Sequence, residues 1–297
     1  MSLSDTHAHQ LMSESGIPRG VAQAHGWRSV TEAQARRLLD RPDVASGGIL
    51  MAYPGCADGF FRLRLDQPLP TRADGHPAKY LQPRGTTPRL FIPALPVVER
   101  ALATPGTELW VTEGEKKALC AALHGIPCVG IGGVWNWGRR PSSTDSVIEL
   151  LPDWHRVGVK GRKIVLVGDS DLAGRPPNDA AGWALRTLAR ALRVAGAVWV
   201  TTLILPGATW AEALDGQSKT GLDDYLALQG HSPGDLRRLA LDEARGRMNG
   251  VLRTVLSPVG AIEPAVAARM RAAALGNGGG PPEAGAGGEL RHDGGGC

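Results

Sequence analysis

From residue 109 onward, short apolar runs alternate with longer stretches whose apolar residues recur every three or four positions. Leu109–Thr112, Cys128–Ile131, Lys163–Gly168 and Val198–Leu205 are runs of the first kind. The run KIVLVG at 163–168 has no polar alternation, as a strand covered on both faces requires. Glu115–His124 and Asn178–Val194 carry helical spacing, and Leu222–Leu228 and Pro233–Arg245 read as further helices. Strand and helix in alternation predict a parallel α/β sheet flanked by helices.

The chain ahead of this region reads differently. Thr31 and Gln34 form a capping box for a helix through Leu38 and Leu39, ended by Arg41-Pro42. Leu11–Pro18 suggests a helix stopped at Gly16 and followed by a short second one, a pattern shared with helix-turn-helix units. His7 and His9 fall in a segment expected to fray, without a metal role. Gly48–Tyr53 is strand-like, and Phe60–Leu65 alternates apolar and basic residues as a half-exposed strand does. Arg62 and Arg64 then share one face. Lys79–Leu81 and Arg89–Ile92 are expected to complete a small mixed sheet.

These patterns divide the chain into a helical segment (1–46), a small α+β, strand-rich subdomain (47–105), an α/β domain (106–250) and a tail (251–297). In the tail, Glu263–Leu275 has the composition of an Ala/Arg helix. Gly276–Cys297 is Gly/Pro-rich and expected to be disordered, because it offers little apolar surface to offset ordering entropy.

Composition narrows the classes only partly. A 42% hydrophobic and 21% charged content is that of a soluble globular protein. The most apolar stretch, Val194–Leu205, is interrupted by Gly196 and two threonines and falls short of the roughly 20 residues that span a bilayer. The N-terminus lacks the basic and apolar regions of a signal peptide, so a cytoplasmic location without membrane contact is expected. Cys56, Cys120, Cys128 and Cys297 show no C-x-x-C spacing, which argues against zinc, and Cys120 reads as a small buried thiol. A net charge of +4 and pI near 9.0 suit a nucleic-acid partner without requiring one.

Three acidic residues stand just after predicted strands. Glu113 follows Leu109–Thr112, and Asp169 and Asp171 follow Lys163–Gly168. Ligands of open α/β sheets gather outside the carboxyl ends of the strands, where these side chains would lie. Two carboxylates at i and i+2 can share a hard cation such as magnesium, which keeps several waters and needs few protein ligands. Glu113 would be a further ligand or a general acid/base. Gly114 and Gly174 would let a phosphate approach the backbone closely. Alternatively, Asp169 and Asp171 simply cap the following turn.

Glu113-Gly114-Glu115-Lys116-Lys117-Ala118 resembles the E-G-x-x-x-A signature of the Toprim superfamily, and Asp169–Gly174 resembles its D-x-D-x-x-G signature. LILP at 203–206, Lys219 and GLDDYLA at 221–227 are similar to the segment that follows in primase-type members. Ser15–Ile17, Gly48–Tyr53, Lys79–Leu81 and the run GGVWNW at 132–137 resemble a Toprim-like family, domain of unknown function 3854, found in replication proteins of plasmids, phages and integrative elements.

The resemblance implies a Rossmann-like Toprim sheet and magnesium, or manganese, on Glu113, Asp169, Asp171 and accessory Asp223. It implies primase-type nucleotidyl transfer with single-stranded DNA and nucleotides as partners, beside a separately encoded replicative helicase. A Toprim nuclease and a non-catalytic DNA-binding accessory protein are the alternatives. No Walker A motif and no zinc module are seen, and none of the tyrosines Tyr53, Tyr80 and Tyr225 lies in a topoisomerase context.

Basic residues supply candidate phosphate contacts: Arg62, Arg64, Lys79, Arg84 and Arg89 in the strand-rich region, Lys116 and Lys117 one turn after Glu113, and Lys219. The five in the strand-rich region could equally belong to a solvated sheet face, and Lys116 and Lys117 to ordinary exposed helix positions. Trp135 and Trp137 would either stack a base or seal an interface.

Overall fold

The computed structural model describes residues 2–70, 77–139, 148–176 and 179–251. The expected Ala/Arg helix at 263–275 and the low-complexity tail lie outside the described residues.

The N-terminal part contains α1 (Asp5–Ser15), α2 (Arg19–Ala24), β1 (Arg28–Val30), α3 (Glu32–Leu39), β2 (Gly48–Ala52), β3 (Phe61–Leu69) and β4 (Ala78–Leu81). The four strands form an antiparallel sheet in sequence order. α3 has the predicted capping box, with Thr31 and Gln34 each satisfying the other's backbone amide. α1 ends at Gly16 in the left-handed conformation.

The N-terminus does not fray as expected. Ser4 caps α1, and the buried His7 ring contacts Ser29 Oγ at 2.7 Å and Asp66 Oδ1 at 2.9 Å. These contacts tie the first helix to β1 and β3.

There follow β5 (Leu90–Phe91), α4 (Pro96–Ala103), β6 (Leu109–Glu113), α5 (Glu115–Leu123), β7 (Cys128–Ile131), β8 (Gly138–Arg139), β9 (Glu149–Leu150), α6 (Trp154–Val157), β10 (Lys163–Gly168), α7 (Ala180–Val194), β11 (Trp199–Ile204), α8 (Trp210–Leu214) and α9 (Pro233–Val251). The larger sheet has the order β11-β10-β6-β7-β5. Its first four strands are mutually parallel and β5 is antiparallel to β7. The protein is therefore α/β, with a parallel sheet core.

Leu90–Phe91 was expected in the small sheet but pairs with Ile131 and Gly130 at the edge of the large one. So short an apolar run does not encode its partner strand.

Successive side chains of the central strands enter opposite layers. Trp110, Val165 and Val167 face a core shared with Leu11, Ile49, Met51, Tyr53 and Phe91, which joins the N-terminal elements to the large sheet. Leu109, Val111, Ile164 and Leu166 face Leu188, Leu192 and Trp154 on the other side. Both faces of the sheet are thus covered, as the continuous apolar runs require. Among the described residues no helix is long and apolar enough to cross a membrane.

Candidate active site

From β6 the chain crosses through α5 to β7 on one side, then returns to β10 on the other. The gap between β6 and β10 is therefore the topological switch point, where open α/β sheets form a crevice at their carboxyl ends. The pairing Thr112↔Val167 is the last between these strands, so Glu113 and Asp169 emerge side by side just beyond it. Glu113, Asp169, Asp171, Arg175 and Lys219 line one cleft, together with apolar residues including Val134 and Leu185.

The carboxylates are held by cations. Lys117 Nζ donates to both oxygens of Asp169, at 2.5 and 2.6 Å. Lys219 Nζ lies 3.0 Å from Asp169 and 3.7 Å from Asp171. Arg175 Nη2 donates to Asp171 at 2.6 Å, and its Nη1 reaches Asp179 at 3.2 Å. Burial pushes the Asp169 pKa up, but Lys117 and Lys219 outweigh it and hold the carboxyl below its ordinary value. Glu113 stands exposed at the cleft while the surrounding protein crowds its carboxyl. That desolvation raises its pKa, and Asp169 adds to the effect against Lys117.

Among the described residues no three His, Cys, Asp or Glu side chains converge as a ready-made metal cage. The donor chemistry nevertheless fits a hard divalent ion. The acidic groups of the cleft offer oxygen alone, and Asp169 already carries a cation, the Lys117 ammonium, on its carboxylate.

Gly114 precedes α5 at φ 103° and Gly174 follows Asp171 at φ 76°. Both adopt backbone that a residue with a Cβ rarely takes, although a Cβ would meet no neighbour at either position. Conformation, rather than crowding, is what asks for glycine there.

The other predicted residues lie elsewhere. Arg62 and Arg64 do share a face of β3, but it is not solvated. α5 covers Arg62 with Glu115, at 2.8 Å, and α1 approaches Arg64 with Glu14, at 3.3 Å. At 5% and 3% exposure neither arginine can line a groove for phosphates. Tyr53 Oη donates to the same Glu115 oxygen at 2.5 Å, and Arg62 lies over the Tyr80 ring.

Lys116 turns to Glu14, 2.9 Å away, and Arg89 pairs with Asp58 and Asp153. Lys79, on β4, and Arg84, in the loop after it, are exposed. Asp223 is buried and accepts from Ser15 Oγ at 2.5 Å.

Trp137 is fully buried, and the carbonyl of its residue accepts from Trp154 Nε1 at 2.8 Å. Trp135 packs on Trp183 of α7 with ring centroids 5.5 Å apart. The two indoles therefore seal α7 and the loop after β7 against the sheet. Cys120 is a buried thiol, and Tyr225 packs on His231 with ring centroids 4.0 Å apart.

Arg175 and Trp210 were not anticipated. The guanidinium lies 4.1 Å from the centroid of the Trp210 ring while it holds Asp171.

Residues 99–232 match the family described as domain of unknown function (DUF3854). The matched segment contains the whole acidic cleft with Lys117, Arg175 and Lys219. Arg62, Arg64, Lys79 and Arg84 fall upstream of it. No curated protein matches the chain.

Proposed function

We propose that this chain is a Toprim-type, primase-like nucleotidyltransferase of a plasmid, phage or integrative element, acting on single-stranded DNA with magnesium or manganese. The observation that carries this reading is the meeting of Glu113, Asp169 and Asp171 in one cleft at the switch point, beside Lys117 and Lys219. Glu113, Asp169 and Asp171 would hold the metal, with buried Asp223 adding negative potential through Lys117. Bound there, magnesium would offset the charge that grows on a phosphoryl group under attack.

The chain's own residues supply the rest. Lys219, half exposed at the cleft, offers its ammonium to a phosphate. Glu113, open at the cleft, would serve either as the third ligand or, unligated, as the acceptor of the proton of an attacking hydroxyl. Arg175 keeps Asp171 oriented from behind. Nucleotides and a DNA template are the substrates, with a separately encoded helicase as the expected partner.

The test is primer synthesis on single-stranded DNA with labelled nucleotides and magnesium, comparing wild type with Asp169→Ala/Asp171→Ala. Short labelled products that disappear in the variant are expected. Synthesis that persists overturns the reading. Carboxylate-dependent degradation of the template without nucleotides replaces it with a nuclease.

A further inference from the structure

Lys117 makes an unusual contact for a lysine. Its ammonium sits across both oxygens of Asp169, where a small cation would lie. The side chain is only 18% exposed, and its surroundings are acidic: Asp169, Glu113 and Asp223 all favour the charged form, against the opposing effect of burial. The path of the side chain is also specific. A Cβ on Gly221 would stand 2.7 Å from Lys117 Cε, so a residue without a side chain leaves room for the lysine stem. Lys219 reaches the same carboxylate but is 53% exposed and free to move into solvent.

We propose that Lys117 is the resident counter-ion of the metal position, occupying on Asp169 the seat a divalent cation takes and giving it up when that ion binds. The proposal rests on the reading of Glu113, Asp169 and Asp171 as a metal site. Without a cation among them, the negative charges of Glu113, Asp169 and Asp223 would be left unbalanced, and Lys117 is the least exposed cation that meets all three. A divalent ion and an ammonium on the same carboxylate repel in turn, so metal entry displaces Lys117. The displaced ammonium stays on α5 at the edge of the cleft, where it can pair with a substrate phosphate. Metal loading and phosphate binding are thereby coupled through one side chain.

Manganese binding, read from the loss of the free-ion EPR signal, tests this without any turnover. Lys117→Met should bind Mn2+ about tenfold or more tightly than wild type, because the competing charge is gone. Lys117→Arg, which keeps a cation, should show no such gain. Lys117→Met/Asp169→Asn should lose it. A cooperative thermal transition verifies the fold of each variant. Should Lys117→Met fail to fold, Lys117→Gln, which can still donate to Asp169, carries the same expectation.

Equal Mn2+ affinity in wild type and the neutral variant, with Asp169 still required, overturns the counter-ion role and leaves the metal site standing. Binding that is absent, or indifferent to Asp169, in every variant overturns the metal site and the role with it.

Discussion

Arg175 holds Asp171 at two points, donating from Nη2 to the carboxylate at 2.6 Å and from Nε to the backbone carbonyl at 2.9 Å. The Trp210 ring closes over the guanidinium, and Asp179 takes its remaining edge. Asp171 is thus fixed in both backbone and side chain by a residue that no local pattern singles out.

Removing this grip should loosen the cleft more than the fold. Arg175→Ala is expected to cost about 2 kcal/mol in urea denaturation, since it leaves a mostly buried carboxylate with Lys219, 3.7 Å away, as its remaining ion-pair partner among the described residues. If the proposed nucleotidyl transfer holds, primer synthesis should fall about tenfold or more as Asp171 loses its orientation. Arg175→Lys keeps the charge but can neither fork nor stack in the same way, and should recover less than half of the lost stability. Full recovery by lysine would show that charge alone matters.

A second buried ion pair joins the small sheet to α5. Arg62 on β3 and Tyr53 after β2 both donate to Glu115, the first residue of α5, which is 1% exposed. Glu115→Ala should therefore destabilise by about 3–5 kcal/mol, because it strands the Arg62 guanidinium in the core. Replacing both partners by Arg62→Met/Glu115→Leu should cost less than the single change. Tyr53→Phe, which removes one hydrogen bond to a charged acceptor, should cost about 1–2 kcal/mol. A double-mutant cycle in chemical denaturation reads the coupling, and simple additivity of the two single changes would refute it.

The parallel strands were legible because a strand covered on both faces is apolar throughout. Cys128–Ile131 and Lys163–Gly168 coincide with their predicted bounds. Once those strand ends are fixed, the place of Glu113 and Asp169 follows from the geometry of parallel sheets.

What covers β3 was not legible. Alternation puts Arg62 and Arg64 on one face, yet whether water or Glu14 and Glu115 meet them depends on partners 50 and 53 residues away. The same holds for Arg175 and Trp210, since a cation over a ring leaves no periodic trace in sequence. His7 is a like case, its partners Ser29 and Asp66 being supplied by the sheet.

Asp169 should also give the protein a measurable dependence on acid. Its folded pKa lies below the ordinary value of 3.8, so the folded state favours the charged carboxylate. A depressed carboxyl contributes stability that is complete above the unfolded pKa and is lost as pH falls through the folded one. Asp169→Asn removes this contribution while leaving the shape of the site. At pH about 7 the variant should be less stable than wild type by about 1–3 kcal/mol, the scale of charged hydrogen bonds to a mostly buried carboxylate. On acidification through the region below 3.8 that difference should shrink, since wild type protonates Asp169 and loses what the variant never had. Urea denaturation of both proteins at neutral pH and at successively lower pH reads the difference directly. A gap that stays constant across this range would mean that Lys117 and Lys219 do not hold Asp169 in its charged form.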